Sequence, residues 1–303
     1  MLRSLLLVLS RQQWLRHWME TSPVADRVTS RFVAGSTLER ELAVCQKLQA
    51  DGYLTTLDHL GESVGSLQEA NQSRDAYLAA FDQIARLNLP ATVSVKLTQL
   101  GLDFSEPAGR AAVECLVARA KSIGRMVEVD MESSQYTERT LALVSELHAK
   151  YGSIRAVIQA YLYRSESDIE SLCLQSIPVR LCKGAYRESP NVAFPRKKDV
   201  DANYIRLMLQ LLDRGVYPAI ASHDENIVQR AIDYVRERNI GADRFEFQML
   251  YGVGRELQRR LVAGNFRLRL YVPYGNAWYP YFMRRLAERP ANVLFLARNL
   301  LRN

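Results

Sequence analysis

The stretch IRAVIQAYLYRSESDIESLCLQSIPVRLC, residues 154–182, contains one complete unit of the pattern that decides the fold. An apolar run stands at each end, IRAVIQ at 154–159 and PVRLC at 178–182, with a segment of helical length between them. Short apolar runs that alternate with helical segments are typical of parallel strands joined by right-handed crossovers. We therefore predict one strand–helix–strand unit in this stretch.

The same alternation continues on both sides of this unit. Amphipathic helical patterns such as DAYLAAFDQIARL (75–87) and IVQRAIDYVRER (227–238) separate short apolar or β-branched runs. The predicted strands span residues 53–58, 92–97, 126–130, 154–159, 178–182, 217–221, 244–248 and 268–272. Strands that alternate with helices in this number predict an α/β protein with a (β/α)8 TIM-like barrel, in preference to an open doubly wound sheet.

The length of the chain agrees with this architecture. Its 303 residues, 48% of them hydrophobic, can bury a large core and suit either one barrel with an extension or two medium domains. Because no linker-like segment interrupts the alternation, we predict one catalytic barrel at residues 51–303. An N-terminal helical arm at residues 1–50 would precede it, and a capping box at Ser36–Glu39 marks the start of its third helix.

Composition argues against several classes of partner. The net charge of +7 comes mostly from scattered arginines, and no basic run is interleaved with aromatic residues, so we expect no nucleic-acid partner. The four histidines lack metal-ligand spacing, so we expect no metal site.

The four cysteines are far apart and suggest reduced, buried thiols in a cytoplasmic protein. They are Cys45, Cys115, Cys173 and Cys182.

The N-terminal segment contains an amphipathic helical pattern at residues 2–19. Its uninterrupted apolar run, Leu5–Leu9, is too short for a membrane span and lacks the cleavage pattern of a signal peptide. Such a helix either packs on the body of the protein or docks on a membrane surface. The sequence leaves both alternatives open, so peripheral membrane contact stays among the hypotheses.

Polar side chains stand where the predicted strands end, which is where a parallel barrel builds its active site. Serine and aspartate there often cap the next helix, and we interpret Ser165 and Asp224 in this way. Lysine, arginine and glutamine are poor caps, so convergence on a shared site explains them better. These residues are Lys96, Gln159, Arg180, Lys183 and Gln248. Their positive charge suggests that a ligand supplies negative charge.

The segment YVPYGNAWYPYFMRRLAERP, residues 271–290, adds two adjacent arginines. A helix that begins at Pro280 would place Tyr281, Arg284 and Arg285 on one face. An aromatic ring beside two guanidinium groups can bind a small carboxylate, although a solvated basic face is the alternative. No dinucleotide or phosphate-binding fingerprint is present, so a cofactor would not lie in a Rossmann crevice.

Several runs together resemble the proline dehydrogenase family, in its bacterial single-function form. They are VSVKLTQLG (93–101), VDMES (129–133), QAYLYR (159–164), RLCKGAYRE (180–188), ASHD (221–224), FEFQMLYG (245–252) and the segment 271–290. The resemblance implies a distorted barrel that binds FAD and oxidises L-proline to Δ1-pyrroline-5-carboxylate. Hydride would pass from proline C5 to flavin N5, and electrons onward to a membrane quinone. It also implies transient contact with a separate pyrroline-5-carboxylate dehydrogenase.

The resemblance assigns roles to matching positions. Asp130 and Arg180 would be catalytic. The residues that would bind proline are Lys96, Tyr271, Arg284 and Arg285. The residues that would contact FAD are Met131, Gln159, Arg180, Lys183, Gly184, Ala185, Ser222, His223 and Gln248.

Two other functions remain as alternatives. A barrel enzyme could use Lys96 or Lys183 as a Schiff-base nucleophile, in the manner of a lyase or aldolase. Alternatively, a basic protein without catalytic activity could dock on acidic membranes through residues 1–19.

Overall fold

The strands form a closed barrel in which each strand pairs in parallel with its neighbours in chain order, and β8 pairs with β1. The computed structural model describes residue 12 and residues 29–61, 64–279 and 281–283. The strands are β1 Leu54–His59, β2 Ala91–Val95, β3 Val127–Val129, β4 Ile154–Gln159, β5 Val179–Cys182, β6 Ala219–Ala221, β7 Glu246–Leu250 and β8 Leu268–Tyr274. The predicted (β/α)8 TIM-like barrel is confirmed.

Helices alternate with the strands around the outside of the barrel. They are α1 Leu38–Ala50, α2 Leu67–Arg86, α3 Glu106–Ser122, α4 Thr137–Tyr151, α5 Ser165–Leu174, α6 Lys197–Arg214, α7 Glu225–Glu237 and α8 Arg255–Ala263, with a 3-10 turn at Ser134–Tyr136. Side-chain caps start several of them: Ser66 accepts from the backbone of Glu69, and Asp224 from that of Asn226. Ser165 is not a cap, because its hydroxyl donates to the carbonyl of Gln159 at 2.6 Å.

The barrel departs from a regular one where it closes between β8 and β1. Helix α1, which precedes the first strand, packs against both of these strands. Residues 278–279 and 281–283, which follow β8, are also helical, but their side chains pack instead against Phe32, Leu60 and Val253. Because Leu60 follows β1 and Val253 follows β7, this helical segment lies at the carboxyl ends of the strands.

Part of the predicted N-terminal arm lies outside the described residues, including the amphipathic pattern at 2–19. Its third helix is α1, which begins at Leu38 with Thr37 as the N-cap, one residue later than the capping box predicted. The division into an arm and a catalytic barrel stays a prediction.

The strands have period-two patterning with an unusual inner face. Outward side chains such as Val127 and Val129 pack under the helices in one hydrophobic core. Inward side chains on the same strand, Glu128 and Asp130, hydrogen-bond across the barrel interior. The inner face is thus largely polar where many barrels have branched apolar residues.

Two further findings concern membrane-spanning helices and the cysteine thiols. Within the described ranges, no helix is both long and apolar enough to cross a bilayer. All four cysteines are free thiols, but only Cys45 is buried and Cys115 is exposed. The expectation of four buried thiols is therefore wrong.

Candidate active site

Four of the predicted site residues meet near the mouth of the barrel: Lys96 and Asp130 directly follow β2 and β3, and Arg180 and Tyr271 lie within β5 and β8. Asp130 is their centre: its carboxylate pairs with Arg180, lies 3.3 Å from Nζ of Lys96 and accepts a 2.8 Å hydrogen bond from the hydroxyl of Tyr271. Ser94 donates a further hydrogen bond of 2.7 Å. Burial works against ionisation of Asp130, but Arg180 and Lys96 outweigh it and hold its pKa below the ordinary value.

Arg180 connects this group to the interior of the barrel. Its guanidinium also bonds Glu128 at 2.9 Å and lies over the ring of Tyr271, 5.4 Å from the ring centroid. Burial disfavours its charge, yet Asp130 and Glu128 more than compensate and raise its pKa. The arginine is therefore a fixed cation between two acids.

Asp58 is a site residue that the sequence interpretation missed. Its carboxylate lies 3.3 Å from Nζ of Lys96, which therefore stands between Asp58 and Asp130. Burial raises the pKa of Asp58, although the charge of Lys96 lowers it, and Asp130 raises it again. The lysine thus faces one acid that ionises readily and one that ionises less readily.

Below this group lies a second, fully enclosed charge network. Arg155 bonds Glu128 at 3.1 Å and Glu246 at 2.7 Å, and Arg269 bonds Glu246 at 2.8 Å. Burial opposes ionisation of Glu246, but Arg269 and Arg155 hold its pKa well below the ordinary value. Gln248 donates to Glu246 at 2.8 Å and accepts from Arg180 at 3.4 Å, so it connects this network with the group above it. Its contact with a cofactor stays a prediction.

Two more predicted residues lie beside the mouth. Gln159, the last residue of β4, donates to the carbonyl of Glu132 at 2.8 Å. Met131 directly follows Asp130 and is buried. Both therefore lie at the carboxyl ends of neighbouring strands, as predicted.

The segments that follow β5 and β6 form one side of the rim. Lys183 bonds Asp201 at 2.5 Å and Asp224 at 3.0 Å, so Asp224 caps α7 and also binds this lysine. Gly184 has a φ of +106°, and a Cβ there would lie 2.3 Å from the ring of Tyr161, so only glycine fits.

The other rim residues differ in exposure. Ala185 is exposed, whereas Ser222 is buried and accepts from the backbone of Asp224 at 3.1 Å. His223 accepts from the backbone of Leu250 at 3.1 Å through Nε2, which connects the end of β6 to the end of β7. Arg284 and Arg285 lie outside the described residues.

The described cations are already paired with acids, so the expectation that a ligand supplies negative charge stays a prediction. Lys96 faces Asp58 and Asp130, Arg180 faces Glu128 and Asp130, and Lys183 faces Asp201 and Asp224. Each of these cations is already opposed by two acids, so they do not by themselves require an anionic ligand.

The overlooked acids could have been found from the strand patterns. Val127–Glu128–Val129–Asp130 alternates strictly, so Glu128 faces the interior with Asp130. Thr56–Leu57–Asp58 shows the same alternation. A prediction that considers only the last residue of each strand misses such members.

The sequence of the chain is similar to that of known proteins. The family model described as proline dehydrogenase matches residues 42–298. The chain is 40% identical over 304 residues to proline dehydrogenase 1 of Bacillus subtilis strain 168, covering 100% of both chains. It is 38% identical over 280 residues to a proline dehydrogenase of Deinococcus radiodurans, covering 91% of this chain and 90% of that protein.

A solved structure shares the fold as well. Proline utilization A from Bdellovibrio bacteriovorus, inactivated by N-propargylglycine, superposes with a TM-score of 0.81 and 27% identity. The match covers 87% of this chain and 33% of that one, so this chain spans about a third of that protein.

Proposed function

Because the chain belongs to the proline dehydrogenase family, whose members are flavoenzymes that oxidise proline, we propose that the mouth of its barrel binds FAD and converts L-proline to Δ1-pyrroline-5-carboxylate. The observation that carries this proposal is the convergence of Lys96, Asp130, Arg180 and Tyr271 near the mouth of the barrel. A parallel barrel builds its active site there.

The donor set at the mouth suits a flavin. A flavin ring needs hydrogen-bond donors along its polar edge and a cation near the atoms that gain charge on reduction. Arg180 supplies a fixed cation from β5. Gln159 at the end of β4 and Ser222 after β6 supply an amide and a hydroxyl on either side of it. Met131, Gly184, Ala185 and His223 occupy the same rim, and Lys183 would hold the cofactor from beside Gly184.

When bound, FAD would accept a hydride from proline C5 at flavin N5. The chain has to hold the proline ring and exclude water from it. Tyr271 supplies an aromatic wall whose hydroxyl is anchored on Asp130, and burial raises its pKa well above the ordinary value, so it stays neutral. Asp130, held ionised, fixes the positions of Lys96 and Arg180 around the substrate.

The carboxylate of proline needs cations, and Lys96 at the mouth is already shared between Asp58 and Asp130. We assign this role to Arg284 and Arg285, with Lys96 beside them. Arginine binds a carboxylate through two parallel hydrogen bonds, which fixes both position and orientation. Residues 281–283, which directly precede these arginines in the sequence, lie at the rim of the barrel.

Electrons would leave to a membrane quinone, and a separate pyrroline-5-carboxylate dehydrogenase would consume the product. The enzyme would act in the cytoplasm, with peripheral contact at the membrane surface through residues 1–19. Liposome flotation with and without that segment tests the contact: removal should abolish flotation if the segment is the anchor.

The Schiff-base alternative is less well supported. A nucleophilic lysine must be a neutral amine. Lys96 lies 3.3 Å from each of two carboxylates, an arrangement that favours a charged ammonium. Lys183 donates to Asp201 and Asp224, and these contacts hold its Nζ at the rim.

The test is an anaerobic titration of the purified protein with L-proline. A proline-oxidising flavoprotein is yellow, absorbs near roughly 450 nm and loses that band as proline is added. A colourless protein, or a yellow one whose band is unchanged by L-proline, would contradict the proposal. Borohydride trapping of a carbonyl substrate on a colourless protein would favour the Schiff-base alternative.

A further inference from the structure

Glu41 is a buried acid that no part of the proposed chemistry uses. It lies on α1, which packs against β1 and β8, and its side chain is completely enclosed. Neither carboxyl oxygen has a hydrogen-bond partner among the described residues. Ionised carboxylates are not stable in such surroundings, because burial removes water without supplying a replacement.

The groups that face Glu41 give it no counter-charge. From β1 it faces Asp58, from β8 it faces Tyr274, and on its own helix it faces Cys45. All three are neutral or negative. Burial raises the pKa of Glu41 and the charge of Asp58 raises it further, whereas an interaction with the backbone of Asp58 lowers it by less. Among the described residues, no cation contributes to its ionisation.

Asp58 differs from Glu41 in having a cation. Its carboxylate lies 3.3 Å from Lys96, inside the barrel mouth. Where two neighbouring buried acids share limited charge compensation, one keeps its proton and the other ionises. The acid that faces the lysine is favoured to ionise, so the proton belongs on Glu41.

We propose that Glu41 stays a neutral carboxylic acid at neutral pH, which leaves the negative charge of the two acids on Asp58, opposite Lys96. The importance of that pair for proline binding rests on the proposed function. The protonation of Glu41 does not, so separate measurements can test the two.

The first test compares Glu41→Gln, which mimics the neutral acid, with the wild-type holoenzyme in equilibrium unfolding over a range of pH. In the wild type the folded state keeps a proton that the unfolded state loses above the ordinary glutamate pKa. Stability of the wild type relative to the variant should therefore fall as pH rises, until pH passes the raised pKa. The ratio of their unfolding constants should change about tenfold per pH unit in that window.

Glu39→Gln is the matched control, because Glu39 is exposed on the same helix. Its pKa is lowered by hydrogen bonds from its own backbone and from Thr37. The stability of Glu39→Gln relative to wild type should therefore not increase as pH rises. A pH-independent difference between wild type and Glu41→Gln would overturn the assignment of a proton to Glu41.

The second test measures coupling to the site. Asp58→Asn removes the repulsion between the two acids, so the pKa of Glu41 should fall. At pH 9 the gain in stability from Glu41→Gln should therefore be smaller in the Asp58→Asn background than in the native one. Purely additive effects would show that Glu41 does not act through Asp58. This result would leave the proposed oxidation of proline intact.

The third measurement is the KM for L-proline at neutral pH. Because Glu41→Gln replaces one neutral group by another, KM and kcat should stay within about threefold of wild type. A large change in KM with unchanged kcat would mean that Glu41 is ionised in the native enzyme, and would contradict the proposal. Failure of wild-type protein to oxidise proline would instead contradict the proposed function.

Discussion

The barrel interior contains two charge clusters that use the same chemistry in different surroundings. In the lower one, Arg155 and Glu246 pair at 2.7 Å with side chains that are 1% and 0% exposed. In the upper one, Lys96 and Asp130 lie 3.3 Å apart and are 12% and 15% exposed. The lower cluster is closed to ligands, whereas the upper one is open, so we infer that the first serves stability and the second serves chemistry.

The difference also explains why ion pairing alone does not identify a site. Removing one member of a buried pair leaves an unpaired charge that water cannot reach. At the mouth, water or substrate can compensate in part. Glu128 connects the two clusters, because it bonds Arg155 below and Arg180 above.

The largest expected effect follows from breaking the lower cluster. Arg155→Leu should reduce the free energy of unfolding by about 3–5 kcal/mol, because Glu128 and Glu246 lose a shared counter-charge. Chemical denaturation of the holoenzyme measures it. Arg119→Leu is the control, since Arg119 pairs with exposed Asp82 and should cost about 1 kcal/mol or less. Equal losses in both variants would mean that the lower cluster has no special role in stability.

Breaking the upper cluster should instead affect turnover. Asp130→Asn removes the charge that holds Arg180 and Lys96, while the amide can still accept from Tyr271. We expect kcat/KM for proline to fall by about 100-fold or more. Steady-state kinetics per bound flavin measure the loss. Asp103→Asn, at an exposed acid that accepts from Tyr136 at 2.8 Å, should leave kinetics unchanged.

Arg284 and Arg285 are proposed to bind the carboxylate of the substrate, and their replacement tests that role. Arg284→Met or Arg285→Met should raise KM for L-proline by about 10- to 100-fold, because a charge-assisted hydrogen bond to the substrate is lost. Flavin content should stay near that of wild type. Equal loss of flavin and of proline affinity would show that the pair is structural.

The smallest effect concerns the hydroxyl of Tyr271. Tyr271→Phe keeps the aromatic wall but removes the 2.8 Å hydrogen bond to Asp130, worth about 1 kcal/mol, so KM should rise about fivefold. Tyr136→Phe removes a bond of the same length to Asp103 at the surface and provides the control. Identical kinetics for wild type and Tyr271→Phe would remove this hydroxyl from the site.

Much of the fold could be predicted because each strand is a short run rich in apolar residues that is separated from the next by a helical segment. The predicted strand at 154–159 matches β4 at both ends, and the others shift by one or two residues at one end or both. The position of α1 against β8 and β1 could not be predicted, because a helix before the first strand has no sequence signal that identifies its packing partner.

The site was predictable only in part. Lys96 and Asp130 directly follow β2 and β3, where position in the chain implies convergence. Arg180 and Tyr271 lie within β5 and β8, close to the ends that the sequence predicted for those strands. The partners of three acids could not be predicted, because they lie on strands tens of residues away and depend on the register between strands. These acids are Asp58, Glu128 and Glu246. For the same reason Gln248, which looks like a mouth residue in the sequence, bonds to the lower cluster.

The most direct test of the division between the clusters is the rate of anaerobic flavin reduction by L-proline, measured by stopped flow on folded, flavin-loaded Arg155→Leu and Asp130→Asn. We expect flavin reduction in Arg155→Leu within about threefold of the wild-type rate, and in Asp130→Asn about 100-fold or more slowly. Flavin reduction that slowed by the same factor in both variants would contradict the assignment of chemistry to the upper cluster. Reduction at the wild-type rate in Asp130→Asn would contradict it as well.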